Sequence, residues 1–236
     1  MINYLANPKR FLKFSKVIQP LLGYSSLILI TIGLYFSLLD SPVDYQQGHT
    51  VRIMYVHVPS AWLASILYFA MAGCATVFLI WKHPLADVSA RCIAPVGLIF
   101  SLLTLITGSL WGKPMWGTWW VWDARLTSMF ILTLFYIGFI VSHKLTLQEE
   151  KANKISSIVA IIGLINIPLI KYSVDWWNTL HQPASIKLTG TSTIHSSMLT
   201  PLLLMFFVLV LYCALIFLMK YKTEIIRIKK KNLKRL

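Results

Sequence analysis

Apolar positions along this chain neither alternate with polar ones nor keep to one helical stripe. They fill six predominantly apolar runs, at about 18–39, 61–81, 92–110, 126–142, 155–170 and 199–219. A helix of about 20 apolar residues crosses a hydrocarbon core of about 30 Å, and only helices and closed barrels satisfy their backbone there. The pattern predicts an all-α integral membrane protein: six transmembrane helices in one domain, residues 1–236, with the fourth and fifth runs short. No internal repeat or low-complexity linker marks a second domain.

Composition agrees. Apolar residues make up 57% of 236 and charged residues 13%, with a mean hydropathy of +0.68, which excludes secreted, disordered and coiled-coil classes. The net charge of +14 would point to nucleic acid only if the basic residues formed a face on a soluble fold. Instead they lie between the runs. With both ends inside, 17 of the 22 lysines and arginines are inner, and only Arg52, Lys113, Arg125, Lys171 and Lys187 are outer. The positive-inside rule therefore sets the orientation as N-in, C-in. The basic tail from Lys220 onward reads as topology and attraction to anionic lipid, not as a nucleic-acid site. The first run ends at Asp40-Ser41-Pro42 without a small-residue cleavage pattern, so it reads as an anchor. Cys74, Cys92 and Cys213 fall within or at the inner ends of spans and form neither a disulfide framework nor a Cys-x-x-Cys pair.

The outer segments hold the unusual residues. Trp111, Trp116, Trp119, Trp120 and Trp122 put five of the nine tryptophans within twelve residues. An interfacial aromatic belt is one reading; a belt, however, is spread over every helix end, and the concentration in one loop favours a flat platform for a large planar apolar molecule. Wound as a helix from position 116, the segment would put Trp116, Trp119, Trp120 and Asp123 on one face, an amphipathic aromatic shelf on the outer surface.

Four of the six histidines have mild readings: His83 and His143 on inner loops, His49 in a polar turn, and His195 before the last span, each solvated. His57 and His181 do not. His57 precedes Pro59, which is placed as the first residue of the second span; the imidazole then sits just before a helix N-terminus that favours its neutral form. His181 follows Trp176-Trp177 by about one turn. No histidine falls inside an apolar run. Two aromatic-flanked imidazoles are too few for zinc, which takes three or four protein ligands, but they match the two axial positions of a porphyrin iron. Arg125, Lys113, Arg52 and Lys187 are the outer candidates for its carboxylates. For Asp123, capping the fourth span or pairing with Arg125 outweighs a role in orienting an imidazole or the platform. Gly108-x3-Gly112-Lys113-Pro114 has the wrong spacing for a phosphate loop. The outer loops hold no nucleophile and base at a recognisable spacing, so an enzyme is not expected.

With these residues in view, the chain resembles the cytochrome c maturation protein C family, membrane haem-handling proteins defined by a Trp-rich segment. The resemblance covers the whole chain and is carried by residues 111–127, above all Trp116-Gly117-Thr118-Trp119-Trp120-Val121-Trp122-Asp123-Ala124-Arg125-Leu126-Thr127. It implies that His57 and His181 are the axial ligands of a non-covalent haem b carried as transient cargo. Trp116, Trp119, Trp120, Trp122 and Asp123 would form the platform, with Trp111 and Arg125 beside it. It further implies a multi-pass protein of the bacterial inner membrane that loads a membrane-anchored haem chaperone. ABC-type ATPase and permease subunits and a small single-span accessory protein would assist. A b-type electron-transfer cytochrome, a haem transporter and a ligand-free scaffold are the competing readings.

Overall fold

A computed structural model describes residues 7–145, 148–182, 186 and 193–233. Six helical stretches are long and apolar enough to cross a membrane: Pro8–Asp40, His49–Trp81, Pro84–Trp116, Ala124–Ser142, Glu149–Trp176 and Ser196–Lys231. All six apolar runs are accounted for, and each helix outlasts its run because helix continues into polar flanks that hydropathy does not count.

The first helix, α1 (Pro8–Leu34), opens with Pro8 at its first position and the Asn7 side chain accepting from Lys9 N at 3.0 Å. It leaves through a π-helical turn, Tyr35–Asp40. The carbonyls exposed there are taken by Arg52, which donates to Leu38 O (2.7 Å), Leu39 O (3.1 Å) and Ser41 O (2.9 Å). A 3-10 turn, His49–Ile53, leads into α2 (Met54–Trp81). The second span thus begins well before Pro59, which lies inside α2 and is not its first residue. A left-handed Lys82 and Pro84 turn the chain into α3 (Pro84–Trp116). Next come α4 (Ala124–Ser142) and α5 (Glu149–Ile162). The fifth span is not one helix: a 3-10 turn at Gly163–Ile165 separates α5 from α6 (Asn166–Trp176). Asn166, buried, donates to Ser128 O at 2.7 Å and ties the break to α4. The last helix, α7 (Ser196–Leu233), carries the basic tail as helix and is tied to α5 by Lys231–Glu149 at 2.9 Å.

The core lies among α2, α3, α4 and the α5–α6 span, with α7 against it and α1 packed chiefly on α7. Small residues let the helices approach closely, as membrane packing demands. Tyr136 donates its hydroxyl to Ala64 O at 2.7 Å across the face of Gly97, where a Cβ would collide with the phenol. Tyr68 packs edge-on to Tyr136 at 5.0 Å and fills the space left by Gly163. One histidine expected to be solvated is not: His143 packs on Phe139 at 5.0 Å with its side chain 13% exposed, because Asp87, Arg91 and Glu224 close over that end of the bundle. His195 is exposed, as expected, and its imidazole accepts from Ser197 N at 3.3 Å and helps cap α7.

Candidate functional site

At the opposite end of the bundle the two singled-out imidazoles meet. His57 sits in the first turn of α2 and is only 8% exposed. His181 comes from the segment after α6, and the two ring centres are 6.4 Å apart with planes 30° from parallel. Two imidazoles holding one metal from opposite sides, at metal–nitrogen bonds of about 2 Å, put their ring centres on the order of 6 Å apart. Among the described residues no cluster of three or more His, Cys, Asp or Glu is placed to hold a metal ion. The pair therefore suits a metal that brings its remaining ligands with it.

Each imidazole has its own support. Thr107 on α3 lies 3.0 Å from His57 Nδ1, and the Trp111 ring stands edge-on to His57 at 5.7 Å. Trp111 is itself held by Gln47, which accepts from its Nε1 at 2.9 Å and so docks the first outer loop on the site. His181 faces Trp116 at 6.1 Å. Its main-chain N donates to the Thr179 hydroxyl at 3.1 Å, and that hydroxyl in turn donates to Asp123 Oδ2 in a short bond. Burial, reinforced by the nearby Arg125 guanidinium, lowers the His181 pKa from 6.5 to about 4. The ring is neutral at pH 7, as a metal ligand must be.

The tryptophan segment is not the single helix anticipated from position 116. Gly117 takes φ +75°, closes α3 with its N–H on Lys113 O at 3.1 Å, and turns the chain away. Residues 118–123 then follow as a bend and irregular chain outside any helix, fixed by Ser109 donating to Trp119 O at 2.8 Å and Thr118 donating to Trp120 O at 3.2 Å. Trp111 and Trp116, on the last turns of α3, reach the imidazoles. Trp119 lies beneath Lys113 Nζ at 5.7 Å, and Trp120 packs on Trp122 and Phe130 at 5.4 and 6.2 Å. Trp119 and Trp122 are 54% and 75% exposed, so the ledge presents them outward.

Asp123 caps α4 by accepting from Leu126 N at 2.8 Å while also holding the His181 segment through Thr179, so its structural and orienting roles coexist. Among the described residues it forms no ion pair with Arg125. The guanidinium of Arg125 instead donates to Lys171 O at 3.3 Å and lies 3.4 Å from His181 Nδ1. Of the four cationic candidates, Arg52 is committed to carbonyls, Lys113 donates to Gly117 O at 3.0 Å, Lys187 lies outside the described residues, and Arg125 borders the imidazole pair. Arg125 Nε and Trp120 Nε1 are buried without hydrogen-bond partners among the described residues. Sequence reading missed Thr107, Thr179 and Gln47. Thr107 carried a signal, since it precedes Trp111 by four residues on the same helix face.

Comparison with known proteins converges on this chain as a whole. The family model described as Heme exporter protein C matches residues 1–236. Heme exporter protein C of Bradyrhizobium diazoefficiens is 47% identical over 229 residues, 97% of this chain and 87% of that protein. The protein of the same name from Haemophilus influenzae is 39% identical over 222 residues (94% and 90%). That from Escherichia coli is 38% identical over 231 residues (98% and 93%). The chain belongs to the heme exporter protein C family.

Proposed function

We propose that this protein holds haem at the outer face of the bacterial inner membrane, between His57 and His181, and passes it to a membrane-anchored haem chaperone during cytochrome c maturation. The observation that carries the reading is the 6.4 Å separation of the two imidazoles, drawn from different outer segments. The surroundings fit the cargo. Trp111 and Trp116 offer ring edges beside the ligands. Arg125 Nε and Trp120 Nε1 are unmatched buried donors of the kind a carboxylate satisfies. Haem brings an iron with two axial positions to fill; no bond is made or broken in it by the protein, so the role is binding and transfer rather than catalysis.

The residues divide the work. His57, within a helix, gives a fixed ligand; His181, outside any helix, gives one that can move without disturbing a span. Exposed Trp119 and Trp122 leave an open aromatic rim against which a second protein can dock while the cargo is exchanged one axial ligand at a time. ABC-type ATPase and permease subunits and a small single-span protein would assist the loaded chaperone's release. An absorption spectrum of the detergent-purified protein tests the reading. His57→Ala and His181→Ala should each lose most of the porphyrin absorbance per protein; wild-type haem content and spectrum in both would refute the ligand assignment.

A further inference from the structure

We propose that Thr107, with Gly108 beside it, is a positioning residue that fixes which nitrogen of His57 is free to bind the cargo. The inference rests on the reading of His57 as an axial ligand and goes beyond it. A threonine hydroxyl has one proton to donate. Thr107 Oγ1 lies 2.7 Å from Leu103 O and 3.3 Å from Thr104 O, and carbonyl oxygens only accept, so the proton is committed to the backbone of α3. The side left toward His57 Nδ1, 3.0 Å away, is a lone pair. Only an N–H can complete that contact, so Nδ1 carries the ring proton and Nε2 keeps its own lone pair. Among the described residues the one hydrogen bond to the His57 ring is this contact at Nδ1, which leaves Nε2 without one.

Orientation is fixed by the next residue. A Cβ on Gly108 would lie 3.0 Å from His57 Cε1, so the imidazole rests directly on the glycine backbone, with Trp111 standing edge-on at 5.7 Å. Thr107, Gly108 and Trp111 all belong to α3, whereas His57 belongs to α2. The ring is therefore aimed by a neighbouring helix, independently of His181. His181 differs: its Nδ1 lies 3.4 Å from both the Arg125 guanidinium, which only donates, and Gln182 O, which only accepts. These contacts demand opposite tautomers.

Nitrogen NMR of 15N-histidine-labelled, haem-free protein in detergent reads the tautomer directly, with the His57 signals identified by their loss in His57→Ala. Wild type should show His57 protonated at Nδ1 with Nε2 bare. Thr107→Val should give a mixture or the reverse tautomer, and Thr107→Ser should restore the original. Haem content after purification should fall about tenfold or more in Thr107→Val, the usual cost of removing the partner of a metal-bound imidazole, and return in Thr107→Ser. Thr107→Ala, which adds no bulk, serves the same comparison if valine prevents folding. A Thr107→Val or Thr107→Ala protein that keeps the Nδ1–H form and full haem content would overturn the proposal, as would a serine variant that restores neither. Haem retained by His57→Ala would instead overturn the ligand reading beneath it.

Discussion

Asp123 shows how one side chain can serve two ends of a site. Its Oδ1 accepts from Leu126 N at 2.8 Å and starts α4, and its Oδ2 takes the Thr179 hydroxyl, whose oxygen holds His181 N at 3.1 Å. Removing a helix cap costs about 1 kcal/mol, so Asp123→Ala should lower both stability and haem content. Thr179→Val separates the two: it leaves the cap intact and frees only the His181 segment. We expect a fall in porphyrin absorbance per protein of up to about tenfold with an unchanged melting temperature; unchanged absorbance would show that His181 needs no such tether. At the inner end, His143 is buried beside Arg91, and both lower its pKa from 6.5 to about 4. On lowering the pH through that window the unfolded chain takes up a proton before the folded one does, so stability falls from about 6.5 down to about 4 and is unaffected by this group above 6.5. His181, shifted the same way, adds to the slope. Melting curves of detergent-solubilised protein should follow that slope, and His143→Gln should remove part of it.

Between elements, glycine sets the distances. Gly97 lets α3 approach the Tyr136 phenol so closely that its hydroxyl reaches Ala64 O on α2 at 2.7 Å. An added methyl must push the helices apart or break that bond, and overpacking of this kind costs about 1–3 kcal/mol. Gly97→Ala should therefore lower the melting temperature by several degrees. Gly73→Ala, with nothing within 4 Å of its Cβ, should not; equal effects of the two would remove the helix-contact explanation. Glycine also explains what the residue pattern could and could not reveal. All six spans were legible because an apolar run of sufficient length has one stable solution in lipid. Their ends were not, since helix-compatible polar residues such as Lys9, Arg10, Lys13 and Lys16 in α1 continue a helix past the point where hydropathy falls. The shelf was misread as helical because the i, i+3, i+4, i+7 pattern of Trp116 to Asp123 outweighed Gly117, whose φ of +75° ends α3 at its first opportunity. The imidazole pair was foreseen from residue type and flanking aromatics. Thr107 and Thr179 were not, because a threonine becomes informative only when folding places it beside a histidine.

For the molecule as a whole, polarity runs along the bundle. One end gathers His57, His181 and the tryptophan ledge; the other gathers Asp87, Arg91, His143 and Glu224 and the basic end of α7. By the positive-inside rule the excess of Lys and Arg at the second end argues that it is the inner one, and the proposed function requires the imidazole pair to lie outside. That assignment decides whether cargo can be handed over outside the cell's interior, and two exposed residues test it. Tyr45, 98% exposed on the first loop, lies at the ledge end, and Lys144 lies at the far end just beyond α4. The native Cys74, Cys92 and Cys213 are free, two of them buried and the third half-buried, so serine replacements can clear the background. In intact cells a membrane-impermeant maleimide should label Tyr45→Cys fully and leave Lys144→Cys unlabelled until the inner membrane is permeabilised. The opposite pattern would put the imidazoles inside, where a protein holding haem for an external chaperone could not present it, and would overturn the proposed function at its root while leaving the fold untouched.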